Sequence, residues 1–342
     1  MKSNPFVLSA FLLACSSGPA ATFDAGSDVA TNDAPATPDA GTPALSTVVA
    51  FAPAAYELAE GLTVHDGKAY VGFAPTGTVV QIDQAGTRTD YAHVPAGGND
   101  GYTLGLVFGS QGELYALETR NTTSPSAPVP GVYKVPAGGG TSMTPFATDP
   151  AFAFPNGLAF DAKGNLLVAD SGAGRIFSVT PQGAVSTWSQ DAELAGSTTC
   201  NAPLPFPIGA NGIVFTPAAA YVSNTSQGSI VKIAVDGSGN AGAVTVIVKD
   251  CKWVGFDGIA LDNDGTLLAA INGAPGKLAR VALDGTVTVL ASTAPLDGPA
   301  SVAFADAWNG QRTALITNGA FFSVGVDGGS PNPALLAYGP LP

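Results

Sequence analysis

Four residues of this 342-residue chain carry a side-chain oxygen and stand directly before a glycine that opens an apolar run: Glu60, Asn156, Asn211 and Asp257. The runs are Gly61-Leu62-Thr63-Val64, Gly157-Leu158-Ala159-Phe160, Gly212-Ile213-Val214-Phe215 and Gly258-Ile259-Ala260-Leu261. Two carboxylates and two carboxamides gathered at one point would offer oxygen ligands of mixed charge. Such a set suits a hard cation, Ca²⁺ by type and less specifically Mg²⁺ or Mn²⁺. The competing reading is local, because Asn-Gly and Asp-Gly are common turn dipeptides and the chain holds 43 glycines. Yet the hairpin glycine of these segments is a separate residue about seven positions on, as at Gly112, Gly164 and Gly265. The Asn and Asp therefore begin a strand and do not tip its hairpin.

What could gather them is a repeat. Leu104-Gly105 and Ala300-Ser301 open two further segments of the same shape, giving six. Their equivalent positions are spaced by 44, 52, 55, 46 and 43 residues, the length of one four-stranded propeller blade. Outer hairpins are also legible: Gly174–Val179 runs through Pro181-Gln182-Gly183 to Ala184–Trp188, and Lys277–Val281 runs through Asp284-Gly285 to Thr286–Leu290. The fold expected is all-β, a six-bladed β-propeller of four-stranded antiparallel blades around a central channel. A two-sheet sandwich does not explain six equal units. Residues Thr47–Phe51 are expected to complete the last blade and close the ring. In such a ring the first strand of each blade lines the channel, so the position before the repeat glycine recurs six times near one mouth.

The motifs that carry these positions resemble those of the gluconolactonase, regucalcin or senescence-marker-protein lactonases. The resemblance rests on Glu60-Gly61, on Pro155-Asn156-Gly157-Leu158-Ala159-Phe160-Asp161 with Lys163-Gly164-Asn165, on Asn211–Phe215, and on Phe256–Asp262 with Asp264-Gly265. The order Glu, Asn, Asn, Asp across blades 1, 3, 4 and 5 is its specific part. It implies that Glu60, Asn211 and Asp257 ligate the metal, with Zn²⁺ a further possible occupant, and that Asn156 orients substrate or water. Asp257 would then serve as base in opening a lactone. Two departures stand out: Phe154 occupies the place of a sugar-gripping Arg, and Val64 the place of a Trp. With Phe152, Phe206, Trp253 and Phe256 expected nearby, Phe154 would contribute an apolar substrate surface. This fits a less polar lactone or ester better than a sugar lactone. His65 and His93 show no spacing that would build a Ser-His-Asp triad.

The rest of the chain sets the context. Lys2 and the apolar run Phe6–Ala14 read as a secretion signal, since nine residues are too few to span a bilayer. Leu12-Leu13-Ala14-Cys15 resembles a bacterial lipobox, which makes residues 1–14 a signal peptide and Cys15 the lipidation site. An ordinary secretory signal is the alternative. Residues 15–45, rich in Ala, Pro and Asp, read as a solvated tether, and 46–342 as the propeller. Cys200 and Cys251 precede successive repeat starts and are expected to form a disulfide at one rim. A formal net charge of −13 without a basic cluster argues against nucleic acid as a partner. The expected protein is a monomeric cell-envelope lipoprotein, at the outer membrane or facing the periplasm, touching the membrane through its lipid only. It would be secreted were Cys15 not lipidated. Its partner is a small-molecule lactone or ester, hydrolysed with help from a divalent metal. The alternative is a non-catalytic propeller that binds a ligand or a partner protein. A strictosidine-synthase-like condensation shares the fold, but no residue singles it out.

Overall fold

The computed structural model describes residues 43–94, 101–120, 127–202, 204, 206–273, 276–325 and 329–342. Cys15, the signal segment and nearly all of the expected tether lie outside them. The described residues build six sheets in a ring, a six-bladed β-propeller of four antiparallel strands per blade, with a two-residue strand, Thr141–Ser142, added parallel to the outer strand Arg88–His93 of blade 1. The inner strands are Ala59–His65, Gly101–Phe108, Pro155–Phe160, Ala210–Thr216, Phe256–Leu261 and Pro299–Trp308. Each inner strand pairs with the next strand along the chain, and blades 1 to 5 are completed outward by strands that follow in sequence. Among the described residues the only helices are three short 3₁₀ turns. No helix among them is long and apolar enough to cross a membrane.

Ring closure follows the expectation, with a slightly longer strand. Ala44–Ala50 forms the outermost strand of blade 6 and pairs antiparallel with Ala334–Gly339, Leu45 opposite Tyr338 and Val49 opposite Leu335. This strand starts two residues ahead of the domain boundary expected at residue 46. Closure leaves no inner edge for another chain to extend. The apolar cores sit between blade faces. Leu62, Val71 and Phe73 of blade 1, for example, pack with Trp308, Leu315 and Leu335 of blade 6. Hydrophobic alternation along each strand supplies both faces, which is why the repeat was legible.

The repeat glycines explain how the blades approach the axis. A Cβ on Gly61 would lie 2.0 Å from the Leu104 carbonyl oxygen, and one on Gly157 2.2 Å from that of Asn211. Gly105 and Gly212 stand in the same relation to Asn156 and Asp257, at 2.6 and 2.5 Å. Each inner strand thus presses its glycine against the backbone of the next blade's channel residue, a place closed to any side chain. Ser301 holds this position in blade 6, where Thr317 Oγ1 bridges to the Glu60 carbonyl at 2.7 Å.

Candidate functional site

Each channel residue is aimed by a β-bulge. The inner pairing slips between Ala59 and Leu62, Thr103 and Leu106, Pro155 and Gly157, Ala210 and Ile213, Phe256 and Ile259, and Pro299 and Val302. All six slips span the channel residue that precedes the repeat glycine, or Ser301 in blade 6. A bulge inserts one unpaired residue and redirects its side chain. This lets a residue at the start of an otherwise regular strand point along the channel axis.

The structure brings Glu60, Asn156, Asn211 and Asp257 together on the lining of one cavity of about 80 Å³ at the mouth where the inner strands begin. All four are buried. Leu104, their blade 2 equivalent, lines the same cavity, whereas Ala300 of blade 6 is buried outside the lining.

Partners from the neighbouring strand fix three of the four. Asn156 Nδ2 donates to Ser171 Oγ at 3.2 Å, and Asn211 Nδ2 to Thr225 Oγ1 at 2.9 Å. Asn272 Nδ2 donates to Asp257 Oδ2 at 2.9 Å. The hydroxyls of Ser171 and Thr225 continue to the carbonyls of Ala210 and Phe256 in the next blade, at 2.7 and 2.8 Å. With the amide N–H groups of Asn156 and Asn211 held in this way, their carbonyl oxygens remain for the cavity. Ser171, Thr225 and Asn272 occupy equivalent positions just past the second strand of blades 3, 4 and 5. Sequence reasoning missed them. The available signal was a polar residue 14 or 15 positions after each channel residue, the separation these bonds show. In blade 1 that position is Ala74, which offers Glu60 no donor.

The electrostatics follow from burial. Burial pushes the Asp257 carboxyl up to about 7, against the opposing pull of hydrogen bonds from Asn272 and Asn211. Glu60 is raised well above the ordinary carboxyl range, first by burial and then by the charge of Asp257. These two acids disfavour each other's ionised forms. Among the described residues no group of three or more His, Cys, Asp or Glu side chains could hold a metal ion. A cation here would therefore need the carboxamide oxygens as well as the two carboxylates. The donor set fits that requirement: all oxygen, mixed in charge and already desolvated.

The wall is apolar. Tyr102 and Leu104 come from blade 2, Phe154 from blade 3, Leu204 and Ile208 from the connection between blades 3 and 4, and Phe321 and Phe322 from the segment after residue 318. Phe154 lies edge-on to Phe206 at 5.1 Å, and its backbone N–H donates to the buried Asp170 at 2.8 Å. The other aromatic residues expected nearby, Phe152, Trp253 and Phe256, pack as core and do not line the cavity. Phe152 is buried against Phe177, and Phe256 is wholly buried with Trp253 packed beside its cluster. Phe152 and Phe256 are part of the cores between blades, and Trp253 packs against one of them.

A disulfide joins Cys200 to Cys251, as their number and placement led us to expect. It ties the segment carrying Leu204 and Ile208 to the start of blade 5. Asn224 and Gln227 hold the start of the same connection, donating to the carbonyls of Glu193, Ala192 and Ala195. The histidines lie elsewhere. His65 stacks on Phe108 in a cleft of about 600 Å³ at the other end of the inner strands. It pairs with Asp66 at 3.4 Å, while the exposed His93 meets Ser142 at 3.2 Å. Neither contact unites a Ser, a His and an acid.

Residues 193–319 match the family model described as the SMP-30/Gluconolactonase/LRE-like region, and residues 152–177 match an NHL repeat. The first match includes Asn211 and Asp257, and it agrees with the resemblance stated from the motifs. No curated protein sequence matches the chain. Among solved structures, the chain is similar to regucalcin from Agrobacterium tumefaciens, described as a calcium-binding protein. The identity is 17%, 87% of this chain and 94% of the other are covered, and the TM-score is 0.61. It is similar also to a gluconolactonase from Xanthomonas campestris, at 16% identity, coverage of 88% and 90%, and a TM-score of 0.61. A third is a catalytically inactive virginiamycin B lyase from Staphylococcus aureus, with a histidine replaced by alanine and quinupristin present. There the identity is 17%, the coverage 81% and 82%, and the TM-score 0.54. At such identities the likeness establishes the fold.

Proposed function

We propose that the chain is a divalent-cation-dependent hydrolase that opens a lactone, or cleaves a related ester, at the mouth where the inner strands begin. One observation carries this reading. Glu60 and Asp257 are buried on one cavity whose described lining contains no Lys, Arg or His. Two carboxyls so placed ionise together readily only when a positive charge joins them.

Glu60, Asn211 and Asp257 would hold the ion, Ca²⁺ by the hardness of these ligands, with Mg²⁺, Mn²⁺ or Zn²⁺ as alternatives. When bound, such an ion polarises a carbonyl and stabilises the negative charge that develops on its oxygen. Asn156, fixed by Ser171, orients the substrate or the attacking water. Asp257, fixed by Asn272, takes a proton from that water as its oxygen bonds to the carbonyl carbon. The proton then passes to the ring oxygen as the C–O bond breaks, so that lactone and water give a hydroxy acid. The family match over Asn211 and Asp257 and the gluconolactonase and regucalcin likenesses support this reading. The lyase likeness favours it less, because that protein's inactive variant lacks a histidine, whereas His65 and His93 lie away from this cavity. As part of the same reading, Cys15 would carry lipid and hold the domain at the cell envelope.

A lactone and ester panel with added Ca²⁺, with and without chelator, tests the proposal. Turnover abolished by chelator and restored by the ion is expected. A bound ion with no turnover of any lactone or ester would leave a binding protein instead.

A further inference from the structure

We infer that the molecule accepted by this cavity presents a hydrocarbon group, alkyl or aryl, and not a ring of hydroxyls. Its chemistry rests on the hydrolase reading, but its recognition does not. The N–H donors of the polar lining are already committed, and the oxygens left on Glu60, Asn211 and Asp257 are those that would hold the ion. Asn156 donates to Ser171, Asn211 to Thr225, and Asn272 to Asp257. Above them the wall is Tyr102, Leu104, Phe154, Leu204, Ile208 and Phe321.

A polyhydroxylated ring entering this space would place hydroxyls against carbon, and each one desolvated without a partner weakens binding by about 5-fold or more. A hydrocarbon substituent would gain roughly 4-fold per methylene buried. The volume sets the scale. About 80 Å³ holds a small ring, so a substituent on it would lie against the apolar lining side chains Phe154, Leu204 and Ile208. Ile208 is held by its carbonyl, which accepts from the Ser226 backbone N–H at 2.9 Å, and the Cys200–Cys251 bond anchors the chain four residues before Leu204, so the apolar wall is a built feature.

The experiment uses full-length protein with Ca²⁺ and two parallel series. The first is turnover of γ-lactones bearing no, butyl or hexyl substituents, beside glucono-δ-lactone. The second is calorimetric binding of cyclopentanones with the same substituents, which cannot be hydrolysed. We expect kcat/KM and affinity both to climb at least 10-fold from the unsubstituted to the butyl compound, with glucono-δ-lactone at the bottom of the turnover series. Phe154→Arg should flatten the climb, and Phe154→Leu should keep it. A climb in binding with no turnover at all would sink the hydrolase reading and leave this one standing. Equal affinity along the ketone series, or preferred turnover of glucono-δ-lactone, would overturn it, and neither readout on the unmutated protein depends on a variant folding.

Discussion

The two ends of the inner strands place the same residue types in opposite circumstances. At the far end, Asp161, Asp236 and Asp284 sit in Asp-containing hairpin turns, each carboxylate accepting backbone N–H groups two or more residues on. Such bonds favour the charged form, and Asp236 and Asp284 are held below the ordinary carboxylate range. At the near end, Asp257 and Glu60 are stripped of water and raised. The turns use an Asp to finish the backbone's own hydrogen bonding. The channel leaves its acids with a deficit that a ligand can relieve. Dipeptide composition cannot tell these apart, but the bulge and the burial can.

The largest contrast should come from substitution. Asp257→Asn is expected to weaken Ca²⁺ binding at least 100-fold by calorimetry. In cation-free protein above pH 7 it should leave the melting temperature unchanged or raise it, because a raised carboxyl has been removed. Asp284→Asn should leave ion binding untouched and shift the melting temperature only slightly, because the carboxamide oxygen can still accept from the Thr286 N–H. Loss of ion binding in both variants would erase the distinction between the two ends.

The glycines offer the next contrast. Gly157→Ala forces a Cβ against the Asn211 carbonyl and should cost about 3 kcal/mol in chemical denaturation, with ion affinity falling because Asn211 moves. Gly164→Ala meets open space at a φ of +81° and should cost about 1 kcal/mol with no change in affinity. Equal losses would mean that the inner strands are not held by close approach.

Acidity gives the smallest and most diagnostic effect. A carboxyl raised in the folded state stabilises the cation-free protein fully below its unfolded value near 4, and that contribution is lost as pH climbs through about 7. The melting temperature of cation-free protein should thus fall across this window, while the increment produced by saturating Ca²⁺ grows. A Ca²⁺ increment as large at pH 5 as at pH 8 would contradict the assignment of Asp257 and Glu60 to the ion.

The ring was readable because its physics is periodic. Alternating apolar residues fill both faces of every blade, and a glycine recurs at five of the six places where neighbouring inner strands touch. The candidate site was readable in part for the same reason: Glu60, Asn156, Asn211 and Asp257 occupy equivalent slots. Its walls were not. Leu204, Ile208, Phe321 and Phe322 belong to connections of unequal length that no period governs, and Tyr102 sits two residues ahead of a slot filled by Leu104. Phe152 and Phe256 stayed open between rim and core, because proximity in sequence to a channel residue does not decide where a ring falls. Ser171, Thr225 and Asn272 were hidden because their role is expressed across strands, 14 or 15 residues from the side chains they steady.

The clasp of the ring has a consequence for biosynthesis. The strand Ala44–Ala50 leaves the ribosome before any other described strand, yet its mate Ala334–Gly339 leaves last. The earliest strand must wait, unpaired, until the whole circle has been translated. A message cut short anywhere before residue 334 would therefore yield an open arc with sticky ends at both extremities, even if every blade it encodes were perfect.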